Sequence, residues 1–204
     1  MYRPEAFAED REDVLLDAIA SIGLAALVTP GEGGIEASHV PMVARRGADG
    51  ALGLETHVAR ANAHWRAAPA ESLAIFQGPH AYVHPGWYPS KAETGKVVPT
   101  WTYIAVHAHG RLEAMTDEAW LRAHLDALTD AQEAARPEPW AVSDAPPRYI
   151  AGLSRGIVGL RLTVERLEGA WKVNQHKPEA DRLGTRDGLA GAGPMGVALA
   201  DVLR

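Results

Sequence analysis

The sequence contains no cysteine among its 204 residues. That absence excludes a disulfide framework, a thiolate metal site and a cysteine nucleophile, and it favours a reducing compartment. Positive charge is also in short supply, because 20 Lys and Arg residues stand against 26 Asp and Glu residues, for a formal charge of −6. A strongly electrostatic nucleic-acid binder would carry a basic surplus. The balance argues against that class and still allows a small basic patch.

Long hydrophobic runs are missing as well. The longest uncharged apolar stretch, residues 18–31, is interrupted by Ser21, Gly23 and Pro30 and is too short to span a bilayer. The amino-terminal residues turn acidic at once, which is not typical of a signal peptide. We therefore expect a cytoplasmic protein that does not associate with a membrane. The length predicts a single domain over residues 1–204.

The residue pattern predicts short strands separated by turns, with two or three helices. Gly-rich turns join the first three strands and predict an antiparallel meander. Asn62 is placed to cap a short helix that ends near Ala67. The predicted strands are Leu24–Thr29, Ile35–Ala44, Leu52–Val58, Glu71–Gln77, Trp101–Glu113, Ile157–Leu167 and Trp171–Gln175, and the longer helices are Glu9–Ile22 and Asp117–Gln132, the second capped by Thr116.

Two segments lack a clear period. Residues 78–100 are rich in Pro and Gly and predict an ordered loop. Residues 178–204 alternate Gly with Ala and Leu, so this tail is expected to be weakly helical at best. The whole pattern favours an antiparallel β-barrel with peripheral helices. A Rossmann fold is excluded, because Gly31-x-Gly33-Gly34 is a hairpin turn and does not lead into a helix.

Trp101–Glu113 is the most informative predicted strand, because a strand sends alternate side chains to opposite faces. One face carries Thr102 and the aliphatic residues that follow it, which is a natural core side. The other is aromatic and polar, with the members Trp101, Tyr103, Ala105, His107, His109, Arg111 and Glu113. It predicts contact with a second subunit, a cofactor or both; the alternative is a half-exposed sheet face with cross-strand aromatic pairs.

His107 and His109 have a spacing that can ligate a metal on a strand. No third His or nearby Glu completes a ligand set, so hydrogen-bonded interface histidines are the preferred interpretation and no metal site is predicted.

Two polar and aromatic segments are candidates for a ligand site. Residues 84–91 combine Trp, Tyr, Ser and Lys side chains, which suit a phosphate and a flat conjugated ring together. Residues 171–177 place an aromatic and an amide side chain on one face. The alternatives are a rigid surface loop and an ordinary edge strand. No nucleophile–base arrangement stands out, so no catalytic residue is predicted and a cofactor would perform any difficult step.

Several long motifs occur in order along nearly the whole chain. The central ones are GPHAYVHPGWYPSK at 78–91, VVPTWTY at 97–103 and VHAHG at 106–110. Together with MYRP at 1–4, HVARAN at 57–62 and GAWK at 169–172, they resemble the PaiB family of FMN-binding negative transcriptional regulators. The chain departs from the family pattern at Ala63, His84, Thr102 and the triplet Asn174-Gln175-His176, and the last two changes fall near the expected cofactor site.

The resemblance implies an FMN-binding split barrel that acts as a homodimer, with FMN at the interface between the two copies. By analogy of position, the ribityl-phosphate would be served by Thr56, His57, Arg60 and Asn62, with assistance from Lys91 and Thr100. Trp101, Trp171 and Gln175 would lie near the flavin ring, and His39 is a further cofactor-binding candidate.

The resemblance also implies a function, which leaves alternatives open. The preferred hypothesis is a negative regulator that acts through DNA or a protein partner and is not an enzyme. The first alternative is a flavin-dependent oxidoreductase of the pyridoxamine-phosphate-oxidase-like group, because the same barrel hosts hydride transfer. A haem-binding barrel comes third, because related barrels bind haem and the chain contains nine His residues.

Overall fold

A computed structural model describes residues 1–203. Short 3₁₀ helices occur at Glu5–Phe7, Ala63–Ala67, Pro85–Trp87 and Val142–Asp144. The strands are β1 (Ala8–Glu9), β2 (Leu24–Gly31), β3 (Gly34–Pro41), β4 (Val43–Arg46), β5 (Leu52–Ala59), β6 (Ala70–Val83), β7 (Thr100–Met115) and β8 (Ile157–Lys172). The helices are α1 (Glu12–Ile22), α2 (Ser90–Thr94), α3 (Glu118–Glu133), α4 (Pro147–Ser154), α5 (Glu179–Ala190) and α6 (Gly193–Val202).

The strands form one antiparallel sheet in the order β3-β2-β6-β7-β8-β5-β4, with β1 paired to β8. The predicted antiparallel β fold with added helices is therefore confirmed. The predicted meander is wrong, because β2–β3 and β4–β5 are separate hairpins at opposite ends of this order. Met42 separates the hairpins: its side chain is 3% exposed, and its backbone N–H donates to the carbonyl of Gly23 instead of a strand partner.

The predicted loop at 78–100 is also wrong in its first part, because β6 continues to Val83. The buried positions of β6 change parity between Gly78 and Ala81, as one extra residue in a strand would cause. Pro79 stands at that point, and proline in a strand normally argues against regular structure. For these two reasons the alternation of buried and exposed residues along β6 is not visible in the sequence.

The carboxyl-terminal third is more regular than predicted. The predicted strand Ile157–Leu167 and the first two residues of the predicted strand Trp171–Gln175 form one strand, β8, which ends at Lys172. The prediction is wrong for residues 173–175, where the chain turns and Asn174 has a positive φ of 61°. Residues 178–203, expected to be weakly helical, contain α5 and α6. Both helices are stabilised by their buried residues, which pack in one hydrophobic cluster. Its members are Ala81, Ile104, Val173, Leu189, Leu199, Ala200 and Leu203. Tertiary packing of this kind overrides a weak helix propensity.

Helix ends follow local hydrogen-bonding chemistry. Asn62 caps the predicted short helix as expected, with its side chain accepting from the backbone N–H of His64 at 2.9 Å. Asp117, one residue beyond the predicted Thr116, caps α3 by accepting from Trp120 N at 2.7 Å. Helix α1 begins at Glu12 because Glu9 belongs to β1.

The described residues divide into two compact units. Unit 1 contains residues 1–18, 77–106 and those from Glu168 onward, and unit 2 contains residues 19–76 and 107–167. The prediction of a single domain stays a prediction. Unit 1 holds the hydrophobic cluster of α5 and α6, while Leu27, Leu54, Phe76, Leu112, Leu160 and Leu162 are all 0% exposed in unit 2. Within residues 1–203, each helix is too short or too polar to cross a bilayer.

We predict that Leu189→Ala destabilises the protein by about 3 kcal/mol, because a fully buried leucine loses its transfer free energy and leaves a cavity. Leu183→Ala in the same helix is the matched control, since Leu183 is 41% exposed. Urea unfolding followed by circular dichroism measures both. Equal unfolding midpoints for the two variants would contradict the packing of α5 described above.

Candidate functional site

The first candidate surface lies on β7, where alternation along the strand is confirmed. Thr102, Ile104, Val106, Ala108 and Leu112 are buried, while Trp101 on the opposite row is 54% exposed. Ala105, also on that row, is buried at 5% exposure, which the alternation did not predict. The strand therefore fixes its aliphatic row in the core and leaves a large aromatic side chain in water.

Exposed aromatic side chains surround Trp101 in unit 1. Tyr82 on β6 is 45% exposed and meets the Trp101 ring edge-on, with centroids 6.1 Å apart. The His80 ring lies 6.4 Å from that of Trp101. Tyr103 follows Trp101 by two positions on β7. We call His80, Tyr82, Trp101 and Tyr103 the aromatic face.

A cation from β8 lies against the aromatic face. The Lys172 ammonium is 5.8 Å from the centroid of the Tyr103 ring, within the range of a cation–π contact. It also donates to the Thr100 hydroxyl at 3.1 Å. The predicted residues Thr100 and Trp101 thus occur beside a positive charge and exposed rings. This combination suits a flat conjugated molecule with an anionic group.

The second predicted segment, residues 84–91, packs on α5. Ser90 donates through its hydroxyl and its backbone N–H to the Asp181 carboxylate at 2.7 and 3.1 Å. Tyr88 is 2% exposed, and burial raises the pKa of its hydroxyl. A Cβ at Gly188 would lie 2.2 Å from the Trp87 ring, so only glycine permits this approach. Lys91 is exposed on α2, apart from these contacts.

Trp171 and Gln175, predicted near a flavin ring, contact their own unit. Trp171 packs against the hydrophobic cluster of α5 and α6. The Gln175 side chain donates to the carbonyls of Ala6 and Trp171 at 2.7 and 2.5 Å and accepts from Val173 N at 2.9 Å. Its amide therefore connects the backbone at Ala6 to that of residues 171–173, and a flavin contact for either residue stays a prediction.

In unit 2, Asn62 belongs to a buried polar network. Its amide donates to the Ser38 hydroxyl at 3.0 Å, and Ser38 Oγ also lies 3.0 Å from His64 Nδ1. His64 Nε2 is 2.9 Å from Thr29 Oγ1, and both residues are 0% exposed. Burial lowers the pKa of His64, so its neutral form is favoured. Asn62 is committed to this network and to its helix cap.

Arg60 and His39 are the exposed predicted residues of unit 2. The Arg60 guanidinium donates to the carbonyls of Arg155 and Ile157 at 2.9 and 3.0 Å. It also lines a cavity of about 350 Å³ to which Arg122, Arg155 and Glu118 contribute. The remaining donors of these arginines suit an anion, whereas His39 stands on the edge strand β3.

Thr56 and His57 lie next to each other on β5 in unusual surroundings. Thr56 is 0% exposed, and its Oγ1 has no hydrogen-bond partner among the described residues. His57 Nδ1 lies 3.0 Å from Nε2 of the fully buried His124, whose ring stacks on Trp120 at 5.3 Å. Burial first, and the nearby His57 and Arg45 second, lower the pKa of His124 to about 4. Burial also lowers the pKa of His57.

The structure thus places the ten predicted residues in two groups. Unit 1 holds Lys91, Thr100, Trp101, Trp171 and Gln175, and unit 2 holds His39, Thr56, His57, Arg60 and Asn62. Thr100 and Trp101 are neighbours on one surface, whereas Thr56 and His57 are neighbours in sequence on β5 and Thr56 is fully buried. The assignment of all ten to one cofactor stays a prediction.

Several residues of the aromatic face and of the surroundings of His57 were not predicted from the sequence. His80 and Tyr82 were hidden because residues 78–83 were predicted to be a loop. Lys172 was recognised as part of a polar segment but not as a candidate. Two further residues could have been identified from the sequence. His124 is a histidine within an otherwise amphipathic helix, and Glu55 is a carboxylate within an apolar strand.

Comparison with known families gives one match to the chain. The model described as "Putative FMN-binding domain" matches residues 1–166. The protease synthase and sporulation protein PAI 2 of Bacillus subtilis is 30% identical over 89% of this chain and 85% of its own length. An uncharacterised protein of Aspergillus fumigatus is 38% identical over 71% of this chain, and the match spans 63% of that relative.

Two solved structures share the fold. The flavocytochrome Anf3 from Azotobacter vinelandii has a TM-score of 0.62 at 13% identity, over 90% of this chain and 78% of that one. The FAD and Heme binding protein from Mycobacterium smegmatis has a TM-score of 0.57 at 19% identity, over 81% and 73%. At these identities the likeness concerns the fold alone, and it agrees with the split barrel implied by the sequence motifs.

The buried His124 predicts a loss of stability in acid. Its pKa is about 4 when folded and 6.5 ordinarily, so the stabilisation is fully present above pH 6.5 and is lost as the pH falls towards 4. We expect the wild type to lose about 2 kcal/mol from this residue between pH 7.5 and 5. Urea unfolding at both pH values measures the loss.

His124→Gln has no imidazole to titrate and should lose correspondingly less stability over that interval. His84→Gln is the control, since His84 is exposed. If His124→Gln loses as much as the wild type and the control do, His124 is not the buried neutral group described here.

Proposed function

The chain belongs to the FMN-binding domain family, and we propose that it binds FMN as a homodimer, with the flavin ring on the aromatic face. The PaiB resemblance is confirmed by this family match together with the relative PAI 2. FMN is the cofactor that the family supports. The observation that carries the choice of surface is the exposure of Trp101 among other rings.

The residues present fit the chemistry of this cofactor. A flavin ring is flat and mostly apolar, so it gains from contact with Trp101 and Tyr82, whose exposed fractions are 54% and 45%. The phosphate requires a cation and hydroxyl donors, and Lys172 and Thr100 supply both beside Tyr103. When bound, FMN supplies hydride and electron transfer, for which protein side chains have no equivalent.

A second copy of the chain is the partner we propose for the aromatic face. Exposed aromatic side chains that cluster on one sheet face are typical of interfaces, because they bury much apolar surface at low entropic cost. A flavin between two such faces would be removed from water on both sides. The dimer therefore completes the site, and each copy contributes rings to it.

Regulation is the biological role we propose first. The relative PAI 2 of Bacillus subtilis is named a protease synthase and sporulation protein, and the sequence motifs resemble those of the PaiB negative transcriptional regulators. The net charge of −6 favours action through a protein partner over direct binding to DNA. The alternative is a flavin-dependent oxidoreductase, in which the same bound flavin would turn over with a nicotinamide.

Titration of the purified protein with FMN tests the site. We expect one FMN per protomer, a mass of two protomers by sedimentation, and Kd values about fivefold higher in Trp101→Ala and in Tyr82→Ala, since each ring contact contributes about 1 kcal/mol. Tyr149→Ala is the matched control, because Tyr149 is 60% exposed on α4 in the other unit. Equal Kd values in all variants would place the flavin elsewhere.

The flavin spectrum then separates the roles. Reduction of the bound FMN by NADH or NADPH at catalytic rates would favour the oxidoreductase, whereas a flavin that stays oxidised favours the regulator. Gel-shift assays at near-physiological salt test direct DNA binding. A Soret band on titration with haem would support the haem-binding alternative.

A further inference from the structure

Unit 2 contains a cavity of about 450 Å³ that the proposed flavin surface does not use. Helices α3 and α4 form its walls, with Val142 and Trp140 from the connection between them and the beginning of β8 at its base. This volume is in the range of pockets that bind small molecules, and it exceeds that of a single water many times. His57 lines it from β5.

The walls of the cavity are apolar and uncharged. Their described side chains include no Asp, Glu, Lys or Arg, and the polar ones are those of His57, Thr129 and Ser154. The aliphatic and aromatic members are Leu125, Trp140, Val142, Ile150, Leu153 and Ile157. An ionic ligand would gain no counter-charge from this lining, so the lining favours a neutral molecule.

A line of polar groups leads along one face of β4 and β5 to the cavity. Arg45 donates to Glu55 Oε2 at 3.0 Å, and the same oxygen lies 4.0 Å from His124 Nδ1. Glu55 and His124 are 3% and 0% exposed. His124 Nε2 is in turn 3.0 Å from His57 Nδ1. The order Arg45, Glu55, His124 and His57 thus ends at the cavity wall.

The Glu55 carboxylate determines which ring nitrogens of His124 and His57 carry a hydrogen. The Glu55 carboxylate lies 4.0 Å from His124 Nδ1, and this negative group favours the tautomer of His124 that carries its N–H on Nδ1. His124 Nε2 then accepts, so His57 donates through Nδ1. The second nitrogen of the neutral His57, Nε2, keeps its lone pair and is an acceptor for a group in the cavity.

We propose that this cavity binds a small uncharged aromatic molecule with one hydroxyl group, which donates its hydrogen bond to His57 Nε2. His57 contacts the ligand, and Glu55 and His124 are positioning residues that act through it. This gives His57 a partner other than the phosphate that the sequence resemblance implied. The proposal requires no flavin and is separate from the aromatic face of unit 1.

Equilibrium dialysis with 1-naphthol and naphthalene tests the proposal, because the two probes differ by the hydroxyl alone. We expect the wild-type protein to bind both and to prefer 1-naphthol about tenfold, which is the effect of one well-placed hydrogen bond. His57→Phe should bind the two equally. His84→Phe, an identical change at an exposed histidine, should keep the preference.

Two further variants keep the test decisive if His57→Phe does not fold. Glu55→Gln should reduce the preference for 1-naphthol and leave the affinity for naphthalene unchanged, which a purely structural role would not do. Leu153→Trp, a larger side chain in the cavity wall, should weaken the binding of both probes to a similar extent.

Three results would overturn the proposal. One is a failure of both probes to bind the folded wild type; another is an unchanged preference in both His57→Phe and Glu55→Gln. The third is competitive displacement of 1-naphthol by FMN, which would make this cavity the flavin site. FMN binding that depends on Trp101 while naphthol fails to bind would leave the proposed function intact.

Discussion

The two-residue alternation of β7 is the constraint on which the candidate flavin surface depends. Thr102, Val106, Ala108 and Leu112 are all 0% exposed, so the core fixes one row of the strand. A slip by one residue would bring that row into water and bury Trp101, which is prohibitively costly. Trp101 and Tyr103 therefore stay on the outer face, where β6 contributes Tyr82 and β8 contributes Lys172.

Buried polar groups impose a second constraint in both units. In unit 1, Asp181 accepts from both donors of Ser90, and Asn174 donates to Tyr88 and Thr185. These bonds hold the segment after β6 against α5, and Asn174 Oδ1 is left without a hydrogen-bond partner among the described residues. In unit 2, His124 Nδ1 has no hydrogen-bond partner among the described residues and lies 4.0 Å from Glu55 Oε2. An incomplete network of this kind is typical of a functional site.

Sequence reasoning succeeded where one physical signal dominated. Strong alternation identified β7 and its outer face, and the side-chain oxygen of Asn62 identified a helix cap. It failed where distant residues decide the structure: the strand β6 passes Pro79 because its neighbours continue the sheet, and α5 and α6 form because Leu189 and Leu199 find a shared core. The pair His57–His124 joins residues 67 positions apart, so no local pattern announces it. The family motifs indicated the cofactor but not which side chains remain available to it.

A crystal structure of the protein with FMN tests the central claim most directly. The account predicts a flavin ring in contact with Trp101 and Tyr82, between two copies of the chain, with the phosphate near a cation such as Lys172. A flavin bound away from the aromatic face, or a Trp101 that stays in water in the complex, would contradict it.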